Sequence, residues 1–421
     1  MRQGKRSVRL LMLLVVFALV AAACSSSSEE TTTTAAGGDE GTTTTEADMI
    51  GEGFKFGMIL VGPQNDRGWS QAHYEAGKYI EEMTGAEMIS LDTVNPADRP
   101  ETSVEQVVSD MIDQGAQLIF ATSDDMKDGI EAAAAEHPDV PMIWSSGDSA
   151  WEEGEAYRAD LPNLGNIMGK MTIGKQIAGC AAALSSSTGN IAYLGPLIND
   201  ETRRLASSVY LGAKYCWESI GNNPDNLNME VNWIGFWFNI PGVTLDPTEV
   251  TNAFYDGGVD VVISGIDTTE ALVVTGQRAA AGEDVWAIPY DYIGACSEAP
   301  EVCLGVPYFN WGPAYLDVAT SVIDGTYERQ FQWIGPDWTD INNPDTSMIG
   351  WVTGDALSDN AAATLDTFIE GLGDGSIDLF VGPLNYQDGT PFLADGEKGS
   401  DVQIWYMKQL LEGMEGASSA G

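Results

Sequence analysis

The sequence predicts an α/β protein built as two doubly wound parallel-sheet lobes around a central cleft. Three observations lead there: short apolar runs alternate with helical patterns from residue 55 onward, the alternation occurs twice, and the two halves carry matching turns. The runs are continuous, not every-other-residue, as expected of strands buried on both faces in parallel sheets with helices on either side.

In chain order the first strand is "KFGMIL", closed by the turn Gly62 to Trp69, "GPQNDRGW". A helical segment from Trp69 to Thr84 repeats apolar residues at three and four, and "EMISLD", a helix from Glu101 to Gln114, "LIFAT" and "MIWSS" complete the first half. The second half reads "NIAYLG", a helix from Glu201 to Ile220, "MEVNWIG", "VDVVISG", a helix from Thr268 to Ala281, "VWAIPYD" and "LGVPYF". Gln114 to Asp124, "QGAQLIFATSD", lies over Gly257 to Asp267, "GGVDVVISGID", and "GPQND" has its counterpart in "GPLIND" at Gly195 to Asp200. Duplication of one lobe explains both matches. At 421 residues the chain also exceeds what a single core usually serves.

The first 23 residues read as a signal peptide. Arg2, Lys5, Arg6 and Arg9 form a basic start, and Leu10 to Ala23 is an uncharged apolar run too short to span a bilayer comfortably. It ends in "AAAC", which resembles a bacterial lipobox and marks Cys24 for lipidation. Residues 24–53 then form a flexible tether of Ser, Thr, Gly and acidic residues.

The formal net charge is -44, and loss of the signal peptide removes four basic residues and no acidic one. Nothing resembling a basic stripe exists, so nucleic acid is excluded as a partner. Self-repulsion of this size is relieved by salt, which suits a saline habitat. Four further cysteines, Cys180, Cys216, Cys296 and Cys303, suggest two disulfides in an exported chain, and Cys180 with Cys216 and Cys296 with Cys303 is the simplest of three connectivities. No metal site is expected: there is no C-x-x-C, and His73 and His137 stand far from any cysteine.

In open parallel sheets ligands bind beyond the carboxyl ends of the strands, which places both Asn-Asp turns, Ser123, Asp124 and Asp267 on facing rims. "GPQNDRGW" lacks the spacing of a phosphate loop, and Asp66 would repel phosphate. It reads instead as a helix cap that also offers Asn65, Asp66 and Trp69 to the cleft, while "GPLIND" reads as scaffold. Aromatic residues crowd the same strand ends: Trp69, Tyr74, Phe236, Trp237, Tyr290, Phe309 and Trp311. Carboxylates that accept from hydroxyl and N–H groups, beside aromatic faces, suit a small polar ring compound such as a nucleoside or a sugar. No hydrolase elbow, zinc-protease motif or Cys-His-Asp arrangement appears, and two histidines leave little for proton-transfer chemistry, so no enzyme and no cofactor are expected.

The segments "FKFGMILVGPQNDRGWSQAHYEAGKYIEEMTG", "LIFATS", "IAYLGPLINDETRRLASSVYLGAK", "VNWIGFWF", "GGVDVVISGIDTTEA", "PYFNWGPAY" and "LFVGPLNYQDG" together resemble the basic membrane protein (BMP, PnrA-like) family of ABC transporter substrate-binding lipoproteins, from about Phe54 to Met414. The resemblance implies a type I periplasmic-binding-protein fold with three inter-lobe crossings. Residues 54–162 and 305–343 would form the N-terminal lobe, and 163–304 and 344–421 the C-terminal lobe. It further implies a purine nucleoside or nucleobase as ligand, an ABC permease and its ATPase as partners, and a monomer held to the extracytoplasmic face of the membrane by lipid. The ligand contacts carried over are Asn65, Asp66, Trp69 and Asp267, with Asp291 in "YDY" beside them; Tyr74, Ser123, Asp124, Trp237, Asn310 and Trp311 complete the candidate site. A sugar-binding protein of the same fold and a ligand-sensing module for a signalling partner are the alternative readings.

Overall fold

The computed structural model describes residues 49–419, so the signal peptide, Cys24 and most of the tether lie outside the described residues. The first alternation runs β1 (Lys55–Ile59), α1 (Trp69–Thr84), β2 (Glu87–Leu91), α2 (Val104–Asp113), β3 (Ile119–Ala121), α3 (Lys127–Glu136), β4 (Met142–Ser145) and β5 (Leu164–Gly169). The second runs α4 (Met171–Ser185), β6 (Asn190–Gly195), α5 (Asp200–Ser219), β7 (Asn228–Trp233), α6 (Pro247–Asp256), β8 (Val261–Ser264), α7 (Glu270–Ala280) and β9 (Trp286–Ile288). Then come β10 (Gly305–Phe309), α8 (Gly312–Ile323), β11 (Phe331–Ile334), β12 (Ile349–Thr353) and α9 (Asp359–Asp374). The chain finishes with β13 (Leu384–Asn385), β14 (Pro391–Leu393), α10 (Asp401–Trp405) and β15 (Met414–Glu415).

The first sheet has the order β11-β5-β4-β3-β1-β2 and the second β15-β7-β6-β8-β9, all strands parallel. The cores β2-β1-β3-β4 and β7-β6-β8-β9 repeat one winding, as the sequence duplication predicts. Continuous apolar runs become strands with no exposed face: Phe56, Met58 and Ile59 on β1 and Val261, Val262 and Ile263 on β8 are fully buried. Helix α1 turns Trp69, Ala72, His73, Ala76 and Ile80 inward at helical spacing, and ends at Gly85 with φ 77°, a conformation that glycine adopts freely.

The chain crosses between lobes three times: from β5 into α4, from β10 into α8, and from β11 into β12, the last two strands of the second lobe's connection forming an antiparallel pair β10-β12. The first crossing follows Gly169, later than the expected 162/163 boundary, because "LGNIMG" pairs with β4 and extends the first sheet. Its glycines and asparagine hide a strand that packing alone enforces. β11 and β12 were likewise absent from the expected strands; β11 is four residues long and lies at the sheet edge.

Helices α4 and α5 pack backbone to backbone. A β-carbon on Gly179 would fall 1.9 Å from the Val209 carbonyl oxygen, and one on Gly212 would fall 2.0 Å from that of Gln176. The same pair is joined by the Cys180–Cys216 disulfide, with Cα atoms 5.1 Å apart. Cys296 and Cys303 form the second disulfide. Both pairings are those the sequence favours.

Candidate functional site

On the first lobe, the turn after β1 is a cap built from the residue two before the helix N-cap. Asp66 accepts from the backbone N–H groups of Gly68 at 2.9 Å, Ser70 at 3.0 Å and Gln71 at 3.0 Å. These satisfy donors that the first turn of α1 leaves free. Loss of water nonetheless outweighs them and pushes the Asp66 carboxyl up to about 6. Asn65 is exposed. Trp69 is buried, donates its Nε1–H to the Thr122 carbonyl at 2.5 Å, and meets Phe309 and Trp311 edge-on, each with centroids 5.3 Å away. Trp311 stacks on His73 at 4.2 Å, while its own Nε1 has no partner among the described residues. Trp69 and Trp311 thus form a fixed aromatic floor.

The remaining first-lobe candidates divide. Ser123 caps a short turn by accepting from the Asp125 N–H at 3.3 Å, and its carbonyl receives the Trp144 Nε1–H at 2.8 Å. Asp124 points across to the second lobe, where the Asn199 amide approaches at 3.4 Å. Tyr74 is half-buried against the first lobe's core. Asn310 holds the connection before β12 through the carbonyls of Pro344 and Ser347, both at 2.8 Å. The structure gives these last two scaffold contacts only.

The second lobe supplies buried carboxylates. Asp267 and Asp291 end the third and fourth strand regions, and neither oxygen of Asp291 has a hydrogen-bond partner among the described residues. Burial pushes both carboxyls well above the usual range, with Asp291 adding to the shift at Asp267 and Lys175 opposing it at Asp291. Asp291 also has φ 70°, a strained backbone for a non-glycine residue, beside an orphaned side chain. Lys175 is fully buried, donates to the Ser264 carbonyl at 2.7 Å and lies 3.2 Å from the Tyr290 ring centroid. Burial brings its pKa down to about 7, against the pull of Asp291 and Glu201. The Tyr290 hydroxyl is another unpartnered group.

The two rims touch. A β-carbon on Gly68 would stand 1.6 Å from the Asp267 carbonyl oxygen. Trp237 donates its Nε1–H to Asp125 at 3.1 Å and its carbonyl receives the Asp267 N–H at 2.9 Å. The Tyr292 hydroxyl reaches Glu75 at 2.9 Å, and Arg67 pairs with Glu298. These contacts, with the Asp124–Asn199 approach, bring Gly68, Asp124, Asp125, Trp237 and Asp267 to one seam between the lobes.

Sequence reasoning missed Lys175, Glu201 and Arg204. Lys175 is the one charge in the apolar helix "MTIGKQIAGCAAALS", and that isolation was a readable signal. Glu201 and Arg204 lie in the "GPLIND" corner read as scaffold. Asn199 does close a capping box with Thr202 there, but Glu201 and Arg204 are buried behind it and face the cleft. Burial pushes Glu201 up to about 7.

Two duplicated parallel-sheet lobes joined by three crossings give the two-lobed binding-protein architecture, and the family match decides which class of protein carries it here: a solute-binding protein of the ABC-transporter type, a class that works outside the cytoplasm. The chain belongs to the Bmp family, ABC transporter substrate-binding protein PnrA-like, whose model matches residues 54–333. It is 29% identical over 367 residues to a purine-binding protein of Brucella abortus, covering 86% of this chain and 93% of the relative. It is 25% identical over 373 residues to a protein of Haloferax volcanii named for glucose binding in an ABC transporter, covering 87% and 81%. Among solved structures, an ABC transporter solute-binding protein of Aeropyrum pernix superposes with TM-score 0.62 at 14% identity, over 78% of this chain and 94% of that one. One from Conexibacter woesei gives 0.56 at 20% identity, over 77% and 98%. At such identities the likeness carries the fold alone. No helix among the described residues is long and apolar enough to cross a membrane.

Proposed function

We propose that this chain is a lipid-anchored solute-binding protein that shuts around a purine nucleoside or nucleobase and presents it to an ABC permease and its ATPase. The observation that carries the ligand class is the buried carboxyl pair of Asp267 and Asp291, where both Asp291 oxygens lack a partner among the described residues. Leaving such groups unsatisfied costs about 1–3 kcal/mol each, and carboxyls that burial holds protonated both donate and accept, so a ligand carrying N–H or O–H donors and ring-nitrogen acceptors recovers that energy on binding. The purine-binding relative supports the same class. Contacts to both rims make the shut state the tighter binder, and ligand shifts the population toward it.

A sugar is the second reading, favoured by the same acceptors and by the relative named for glucose. Thermal melts with inosine, guanosine, adenine and ribose test both. Ligand at one hundred times its dissociation constant adds about 2.7 kcal/mol of stability. A melt raised by purines and unmoved by ribose supports the first reading; the reverse supports the second, and no shift with any purine overturns the first.

A further inference from the structure

A cavity of about 220 Å3 opens to solvent beside the crossing from β10 into α8. It lies between the middle of α1 in the first lobe, the loop after β9 in the second, and the connection that leads into β12. None of Asp66, Asp124, Asp267 and Asp291 lines it, so it stands apart from the buried carboxyls of the cleft. Its rim is exposed at Glu75, Ile293 and Pro344.

The walls are aromatic, from Tyr79 on α1, Tyr292 after β9, and Tyr308 and Trp311 on the crossing itself. Each of these tyrosine hydroxyls has committed its proton to a protein acceptor. Tyr79 donates to Asp345 at 3.0 Å, Tyr292 to Glu75 at 2.9 Å, and Tyr308 to the Asn342 side-chain oxygen at 3.1 Å. Burial, then the Glu75 bond, pushes the Tyr292 hydroxyl up to about 12, so that proton stays in place at neutral pH. The Asn310 amide donates to the Pro344 and Ser347 carbonyls, and the Trp311 Nε1–H is closed off from solvent.

Apart from the exposed Asn342 amide, the side-chain groups left to a ligand are therefore acceptors. Glu75 receives Tyr292 and the Gln71 amide, both at 2.9 Å and both on Oε1, while its Oε2 has no partner among the described residues. No Lys, Arg or His lines the cavity among the described residues, and Arg67, whose charge Tyr292 feels, is paired with Glu298.

Such a lining discriminates sharply. An anion meets the Glu75 and Asp345 charges with no cation to pair it, and a neutral polyol finds few donors for its oxygens. A bare metal ion needs about six oxygen ligands, which ring faces do not supply. An amine cation fits each part: its N–H groups donate to Glu75 and the phenolic oxygens, its charge is attracted by the rings, and its alkyl chain lies against Ile293 and Pro344. Room suffices, since a cavity of about 150 Å3 holds a body as large as benzene. We propose that this cavity is a binding site for a short-chain primary ammonium ion, an amine without a carboxylate. Contacts from Glu75 and Tyr79 on one lobe and Tyr292 on the other place the ion across the seam.

The test is calorimetric titration of the whole exported chain with propylammonium chloride, tetramethylammonium chloride and 1-propanol, with ionic strength held constant by sodium chloride. Propylammonium is expected to bind at least about tenfold tighter than 1-propanol, which lacks the charge, and about fivefold tighter than tetramethylammonium, which lacks the N–H donors. Glu75→Gln, at an exposed position that folding tolerates, should weaken propylammonium by about tenfold, and Tyr79→Ala by about threefold to fivefold. No heat with propylammonium, or equal affinity for propylammonium and 1-propanol, overturns the site. Binding untouched by both variants places the ion elsewhere on this acidic chain and overturns it as well. Weakening by Glu75→Gln alone reduces the site to a surface ion pair, and that result too refutes the aromatic cavity. None of these outcomes depends on what the cleft binds.

Discussion

The Gly68 backbone and the Asp267 carbonyl are in direct contact across the cleft, with 1.6 Å between that oxygen and the place a β-carbon would take. Gly68 has φ -147° and ψ -133°, outside the extended and helical regions, and closeness to the other lobe leaves no room for a β-carbon. Gly68→Ala should leave each lobe folded and hold the rims apart. Overpacking of this kind costs about 1–3 kcal/mol, or roughly tenfold or more in affinity for a ligand that needs closure. Small-angle scattering should show a larger radius of gyration; an unchanged radius with unchanged affinity would mean that the contact does not govern closure.

Asp66 makes its three bonds within its own lobe. Asp66→Ala should therefore cost about 1–2 kcal/mol of stability, as lost caps do. Asp66→Asn, which keeps one acceptor oxygen, should recover part of it. Denaturant midpoints decide: an alanine variant as stable as the parent but poor in ligand binding would make Asp66 a ligand contact first and a cap second.

Lys175 and Glu201 predict opposite pH limbs. The unfolded chain keeps the Lys175 proton up to about 10.5, whereas the folded chain releases it near 7, so stability should rise with pH between those values. Glu201 behaves the other way: the folded chain holds its proton to about 7 and the unfolded chain only to 4.5, so stability falls as pH rises through that window. Each group contributes a slope of at most about 1.4 kcal/mol per pH unit. Lys175→Met should flatten the alkaline limb, and Glu201→Gln should make the acid limb shallower while Asp66 and Asp125, both raised to about 6, keep the rest of it. Unfolding curves from pH 5 to 9.5 whose limbs keep the parent slopes in both variants would refute the assignment.

The two disulfides close loops of different length, 36 and 7 residues of separation. Chain entropy assigns about 3.8 kcal/mol to the longer loop and about 2.3 kcal/mol to the shorter. Replacing Cys180 and Cys216 together by alanine should thus destabilise the protein more than replacing Cys296 and Cys303. The reverse order would show that native packing near Cys303 matters more than loop length.

The doubled winding was legible because hydrophobic runs and their spacing are local properties of the chain: β1, β3, β6 and β8 all fall on runs that announce themselves. β5 and β11 were not, since "LGNIMG" and "FQWI" become strands only through neighbours already in the sheet. The same divide runs through the cleft. "GPQNDRGW" declared a cap and a rim, whereas "GPLIND" concealed Glu201 and Arg204, whose roles depend on residues near 148 and 405 that lie far along the chain.

By itself the sequence determined the class of fold and the duplication, because periodicity and turn chemistry act over short distances, and it left the disulfide pairs as the simplest of three connectivities. Tertiary structure decided which carboxyls lose their water. Among 63 carboxylates, Asp66, Asp267, Asp291 and Glu201 are shifted upward by the removal of water around them, and desolvation is a property of packing that no single stretch of sequence contains.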